Sequence, residues 1–361
     1  MQDRLGCCAL GESRWSSGVQ SRVAAVESEG RCGGAAMGWP RWGVVSVARR
    51  RVKGWQVGSV GTLLVALAVG GCGGGSGSGA SDQPGSATTA TAATATSTPG
   101  TSAPVQVVAK VKGRQLVGQC TGLTADAPTV VLEVGMGRHR QALGVVERHL
   151  APRTRVCSYD RAGKGASGSS STPRPVAEVI SDAHAFLAQA AKQGAKPPYF
   201  LVGHSFGGEV VFRYAQLYPE QVAGFVAINP SPPYKTWIKR AATVQTPAEL
   251  REYELLWFRG DNEEDIDTRG DERMLTDPLP ADLPYVVMFD EVCDELPPTL
   301  QNPQDCTRML SILELTAKDL AKVGKGGRYL RVEGGGHDLD VTRPEVVLEQ
   351  IDQVWEAALR R

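Results

Sequence analysis

The pentapeptide Gly203-His204-Ser205-Phe206-Gly207 sets one serine among glycines in a chain of 361 residues. The apolar run Tyr199-Phe200-Leu201-Val202 precedes it, and Gly208 leads into the helical pattern Glu209-Val210-Val211-Phe212-Arg213-Tyr214. Strand, sharp turn and helix form the context in which G-x-S-x-G presents a nucleophile, because glycines remove the Cβ clashes that forbid so tight a turn. The Ser205 hydroxyl is then expected at the carboxyl edge of a sheet, beside a helix N-terminus whose N–H groups favour an anion. With 42 glycines in the chain, the pattern gains meaning only if partners can be found.

Five histidines are available as the proton carrier. His139, His149 and His184 lie upstream, on or beside helical patterning, and read as surface or core residues. His204 is inside the elbow and points elsewhere. His337 remains, in Glu333-Gly334-Gly335-Gly336-His337-Asp338 after the final strand, where glycines let a loop bend back over the sheet edge. A histidine there can serve as general base toward Ser205 and general acid toward a leaving group. The developing oxyanion needs backbone N–H donors. Phe206, next after the nucleophile, is expected to supply one. Met136, in the turn Gly135-Met136-Gly137, is expected to supply the other, its side chain serving only core packing.

These residues need elements to hold them. Val105–Val111 and Gln115–Cys120 read as an opening hairpin about Lys112-Gly113-Arg114. Further strands are expected at Thr129–Val134, Arg155–Asp160, Tyr199–Val202, Val222–Ile228, Tyr285–Phe289 and Tyr329–Val332. Helices are expected over Gln141–Leu150, Val176–Gln193, Gly208–Leu217, Gln304–Lys322 and Pro344–Leu359. Alternating helices and continuously apolar strands imply an α/β domain, a mostly parallel sheet covered on both faces. Residues 231–284 break the rhythm with Trp237, Ile238, Trp257 and Phe258 followed by the acidic run Asp261–Asp267, and read as a small helical lid.

Only residues 105–361 read as one folded domain. Residues 73–104 are nearly all Gly, Ser, Ala, Thr and Pro, a composition that cannot bury a core, so 72–104 is expected to be a disordered tether. Residues 1–71 form a signal region. The basic cluster Arg49-Arg50-Arg51-Val52-Lys53, the apolar stretch Val57 to Val69 and Gly70-Gly71-Cys72 resemble a bacterial lipoprotein signal, with Val69 where leucine is usual. The resemblance implies lipidation of Cys72 and residence in the cell envelope, at the outer face of the cytoplasmic membrane. A plain signal anchor or secretion is the alternative. Such a signal normally opens a chain, so Met37 or a later valine codon reads as the true start, with 1–36 a mis-assigned segment.

Residues 1–71 hold nine Lys and Arg against four Asp and Glu, which leaves 30 basic and 35 acidic residues from Cys72 onward. That balance gives no electrostatic footprint for nucleic acid. Cys120, Cys157, Cys293 and Cys306 form an even set suited to an exported domain, and Cys120–Cys157 and Cys293–Cys306 are the favoured disulfides. None has C-x-x-C spacing, so no metal site is expected.

The elbow, the turn Val131-Leu132-Glu133-Val134-Gly135-Met136-Gly137, the segment from Ser158-Tyr159-Asp160-Arg161 to Ser167, and the glycine-rich histidine loop resemble the α/β-hydrolase fold superfamily, serine hydrolase or esterase type, over residues 105–361. The resemblance implies an eight-stranded, mostly parallel sheet with helices on both faces, and a serine–histidine–acid triad without cofactor. It implies an architectural role for the Asp160-Arg161 loop, and it places the acid after one of two strands. After Val222–Ile228 stands Asn229, which carries no charge. After Tyr285–Phe289 stand Asp290, Glu291, Asp294 and Glu295. The usual offset favours Asp294, with Asp290 in reserve.

The expected function is hydrolysis of a carboxylic ester through an acyl-enzyme on Ser205, by a membrane-tethered protein whose substrate is a small molecule with an apolar acyl or aromatic part. Serine at the elbow argues against dehalogenase and epoxide-hydrolase chemistry, which use aspartate there. Amide, thioester or carbon–carbon cleavage and cofactor-free peroxidation remain open on the same residues. The alternative of another class is a catalytically silent protein that holds a lipid or signal beneath its lid.

Overall fold

A two-residue turn at Lys112 and Gly113 joins β1 (Val105–Val111) to β2 (Arg114–Gly122). Both turn residues have positive φ, 45° and 79°, the backbone that suits the twist of a tight hairpin. The computed structural model describes residues 103–361 apart from 124–125, 171, 261, 270–271 and 294–301. The signal region, Cys72 and all but the end of the tether lie outside the described residues, and so does Asp294.

The hairpin is followed by β3 (Thr129–Glu133), α1 (Gly144–Leu150), β4 (Arg155–Tyr159), α2 (Val176–Ala191), β5 (Tyr199–His204), α3 (Phe206–Leu217) and β6 (Val222–Ile228). The chain then runs through α4 (Tyr234–Ala241) and α5 (Pro247–Tyr253) to β7 (Tyr285–Phe289), α6 (Pro303–Leu320), β8 (Gly327–Arg331), α7 (Leu339–Thr342) and α8 (Pro344–Leu359). The eight strands form one sheet in the order β1-β2-β4-β3-β5-β6-β7-β8. Only β1–β2 and β2–β4 pair antiparallel; the other neighbours are parallel.

Every residue of β3 to β7 is buried, which is what strands covered on both faces require. Alternate side chains feed two cores. Val131, Leu201 and Phe225 meet Val179 and Phe186 of α2 and Phe212 of α3 on one face. Val130, Phe200 and Val226 meet Val146 of α1 and Ile351 and Trp355 of α8 on the other. Cys120 and Cys157 are register partners on β2 and β4 and form one disulfide; Cys293 and Cys306 form the second.

Two boundaries differ from expectation in ways that matter for the site. α3 begins at Phe206, not Gly208, because the elbow passes straight into the helix. The helix expected from Gln141 opens as a 3₁₀ turn, Arg140–Leu143, and becomes α-helical only at Gly144. Between β6 and β7 the segment read as a lid carries α4 and α5 and a π-helical turn, Glu254–Phe258. Trp237 and Ala241 of α4 and Phe258 pack with Cys306 and Met309 of α6 in a third apolar cluster.

Candidate active site

Ser205 leaves β5 at φ 54° and ψ −121°, a conformation a non-glycine residue adopts only when its surroundings enforce it. The enforcing contacts are backbone bonds. Ser205 N–H donates to Ile228 O at 2.8 Å, while its carbonyl accepts from Gly208 and Ser231 N–H at 2.9 and 3.1 Å. A side chain at Gly203 would strike the Gly207 carbonyl, and one at Gly207 would strike the Glu133 carbonyl oxygen. The two glycines thus let the elbow close and let α3 approach the end of β3.

The Gly135-Met136-Gly137 turn follows β3 after Val134, and its peptides are held from behind. Arg161 donates to Val134 O at 2.7 Å and to Gly135 O at 2.8 Å, and its guanidinium lies 5.2 Å from the centre of the Phe206 ring. This is the architectural role expected of the Asp160-Arg161 loop. Glu264, from the lid segment, completes the cradle: it accepts from Arg161 Nε at 2.9 Å, Arg161 Nη2 at 2.6 Å and Gly137 N–H at 2.8 Å. Burial alone favours protonated Glu264, but the Arg161 guanidinium outweighs it and holds the carboxyl below its ordinary value. Glu133, also buried, lies 3.5 Å from Arg161, and its burial pushes it up to about 7.

His337 stands on the loop after β8. Its Nδ1 lies 2.6 Å from Glu291 Oε1. A carboxylate at Nδ1 keeps the proton on that nitrogen, leaving Nε2 as the basic atom. The loop is fixed by Asp290, whose Oδ2 accepts from Gly335 and Gly336 N–H at 2.7 and 2.9 Å. Asp290, the reserve acid, is thus committed to backbone and does not meet the imidazole. Asn229 donates to His337 O at 2.8 Å and Gly336 O at 3.2 Å. His204 Nε2 donates to His337 O at 3.0 Å, and burial, then the nearby imidazole, depress His204 to about 3, so it stays neutral.

Ser205, Phe206, Met136, His337 and Glu291 line one cavity of about 410 Å³ at the carboxyl edge of the sheet. Trp237, Phe258, Phe289, Leu313 and Ala317 form its apolar wall. Phe206 N–H is in the first turn of α3, where an N–H has no intrahelical acceptor. The structure therefore brings together four of the five site residues expected within the folded domain. The fifth, Asp294, lies outside the described residues, and among the described carboxylates Glu291 is the one on His337. Of the other histidines, His149 pairs with Asp352 and His184 stacks on Tyr218 at 4.0 Å, both away from the cavity.

Ligand atoms of His204, His337 and Asp338 also lie within 4.8 Å of one another. Each is already engaged, with the His337 carbonyl, Glu291 and Arg138 respectively, so the group serves to hold the loop. Among the described residues no helix is long and apolar enough to cross a membrane.

Strand order, a serine on a positive-φ elbow and a histidine on the loop after the last strand define an α/β-hydrolase fold. The described residues have the fold of the α/β-hydrolase superfamily. A family model described as serine aminopeptidase, S33, matches residues 125–256. The chain is similar to an AB hydrolase superfamily protein of Gibberella zeae, 29% identical over 110 residues, 29% of this chain and 33% of that one. It is similar also to the uncharacterized protein YqjL of Bacillus subtilis, 28% identical over 103 residues, 28% of this chain and 40% of that one. These matches span less than half of either relative. The crystal structure of VinJ shares the fold at a TM-score of 0.51 and 17% identity, over 70% of this chain and 99% of that one. The match to the family model supports hydrolase chemistry.

Proposed function

We propose that the protein is a serine hydrolase that cleaves a carboxylic ester through an acyl-enzyme. The observation that carries this reading is a strained Ser205 sharing one cavity with His337, whose Nδ1 is held by Glu291 at 2.6 Å. Ser205 Oγ attacks the ester carbonyl as its proton passes to His337 Nε2, and Met136 and Phe206 N–H groups take the oxyanion. The C–O bond breaks, the alcohol leaves with the proton from His337, and water repeats the sequence on the acyl-enzyme. Glu291 takes the acid role expected of Asp294.

The apolar wall of Trp237, Phe258, Phe289 and Leu313 favours an apolar acyl or aromatic group. The matched family model is described as an aminopeptidase, whose substrate presents an ammonium group. Among the described residues the cavity carboxylates are Glu291 and Asp338, paired with His337 and Arg138. Neither is left to receive an ammonium, which favours the ester over the peptide.

Two experiments test the reading. A fluorophosphonate should label Ser205, and p-nitrophenyl ester hydrolysis should disappear in Ser205→Ala; an unlabelled protein that co-purifies with a bound lipid would instead support a silent binder. Tethering to the envelope through a lipidated Cys72 belongs to the same proposal. Cys72→Ala should move the protein from the membrane to the soluble fraction, and unchanged fractionation would remove the lipid anchor.

A further inference from the structure

We infer that Glu264 is a positioning residue that makes the oxyanion hole depend on the lid. The inference rests on the hydrolase reading above and extends it to a residue outside the triad. Met136 N–H and Gly135 C=O belong to one peptide unit. In a trans peptide these two groups point in opposite directions. Arg161 Nη2 holds Gly135 O at 2.8 Å, so it also fixes the direction in which Met136 N–H leaves the same plane. The guanidinium that aims this donor is itself aimed by Glu264. Both carboxylate oxygens are used, Oε2 on Arg161 Nε and Oε1 on Arg161 Nη2, a bidentate pair that fixes the plane of the guanidinium. Oε1 accepts in addition from Gly137 N–H, so one carboxylate holds the far side of the Met136 residue as well. The same guanidinium lies over the ring of Phe206, the residue that carries the second donor.

Glu264 reaches this position from a segment with a fold of its own. Asn262 Oδ1 accepts from Glu264 and Ile266 N–H at 3.2 and 3.0 Å, and Asn262 Nδ2 donates to Ile266 O at 2.7 Å. Asp265 O accepts from Arg174 N–H at 2.8 Å, and Ile266–Asp267 pairs in parallel with Arg174–Pro175. The side chain of Glu264 is fully enclosed and that of Arg161 nearly so, at 0% and 2% exposure. In so dry a setting the orientation of one carboxylate governs several hydrogen bonds at once. Glu264 touches neither the substrate cavity nor Ser205, and its influence passes through Arg161 and Gly137.

The test uses the full chain and p-nitrophenyl esters, with each rate referred to the concentration of Ser205 titrated by an organophosphate, so that unfolded protein is not counted. Glu264→Gln keeps an acceptor for Gly137 but removes the charge and one acceptor from Arg161. It should lower kcat per titrated site by about 10- to 100-fold with KM little changed, because an oxyanion donor acts chiefly in the transition state. Glu264→Asp keeps the charge but withdraws it from Gly137, and should fall between Glu264→Gln and wild type. Wild-type kcat per titrated site in Glu264→Gln overturns the coupling while leaving the hydrolase intact. A raised KM at unchanged kcat also overturns it, since that pattern marks lost ground-state binding. Undiminished turnover in Ser205→Ala identifies failure of the hydrolase reading itself.

Discussion

The side chain of Asn229 joins two loops of the site: its amide donates to His337 O at 2.8 Å, and its carbonyl accepts Asp290 N–H at 2.8 Å. Asn229 follows β6, one of the two places where the resemblance allows the acid. Here the position is occupied by a neutral group that uses both its donor and its acceptor. Its backbone, at φ 44°, turns the side chain from the strand end toward the histidine loop. The acid of the proposed mechanism is thereby left to the loop after β7.

Asn229→Asp should expose that division of labour. Aspartate tolerates the same left-handed backbone, so the change is confined to the side chain. It removes the donor and sets a carboxylate against the carbonyl oxygens of Gly336 and His337. The expected cost is about 1–3 kcal/mol of stability, the range for leaving a buried polar group unpaired, read by urea unfolding. Unchanged stability would mean that Asn229 does not clamp the loop.

Glu291→Gln should lower kcat on the order of 10³–10⁴-fold, the scale seen when the acid behind a catalytic histidine loses its charge. The amide can no longer stabilise the imidazolium, nor hold the proton on Nδ1. Asp294→Asn should leave turnover near wild type. The opposite ranking in steady-state ester kinetics would return the acid role to Asp294.

Much of this organisation is legible in the sequence. β1, β6, β7 and α8 run between the residues that patterning predicts, because each is an apolar run or an amphipathic helix closed by turn residues. The gathering of Ser205, Met136, Phe206 and His337 around one cavity is legible because each stands just beyond a strand end. The contact of Glu291 with His337 is not, since the path of its loop is set from outside. Asp290 turns inward to the N–H groups of Gly335 and Gly336, 45 and 46 residues on, which brings the next residue, Glu291, to the imidazole. Glu264 is hidden for the same reason. Within an acidic run it looks solvated, and only the fold brings it to Arg161, 103 residues away.

His204 makes acid sensitivity a second measurable property. Burial depresses it to about 3 against an ordinary value of 6.5, so the unfolded chain binds a proton there that the folded protein refuses. Its stabilising contribution is complete above pH 6.5 and is lost as pH falls toward 3, at up to about 1.4 kcal/mol per pH unit. Glu133, raised to about 7 from 4.5, acts in the opposite direction, its contribution being lost as pH rises through 7. The two slopes overlap between pH 4.5 and 6.5, so wild-type curves alone do not separate them. His204→Gln retains a donor for His337 O but no longer titrates. The stability difference between wild type and His204→Gln should shrink as pH falls from 7 to 4; a constant difference would mean that His204 takes up its proton in the folded state.

The two disulfides should separate turnover from stability. Cys293 is two residues beyond Glu291, and its bond to Cys306 ties that loop to α6, where Cys306 packs with Met309 and with Trp237 of the lid segment. Cys120 and Cys157 instead join register partners on β2 and β4 that are already hydrogen-bonded strands. Loss of the first bond frees Glu291, the proposed acid; loss of the second loosens a sheet that carries no proposed catalytic group at that point. Cys306→Ser should therefore cut kcat by more than its loss of thermal stability accounts for. Cys120→Ser should lower stability by about 2–4 kcal/mol, the usual scale for a native disulfide, with kcat of the folded protein unchanged. Thermal unfolding and site-titrated kinetics on both variants give the comparison. Equal losses of turnover would show that the Cys293–Cys306 bond supports the domain as a whole instead of holding Glu291 against His337.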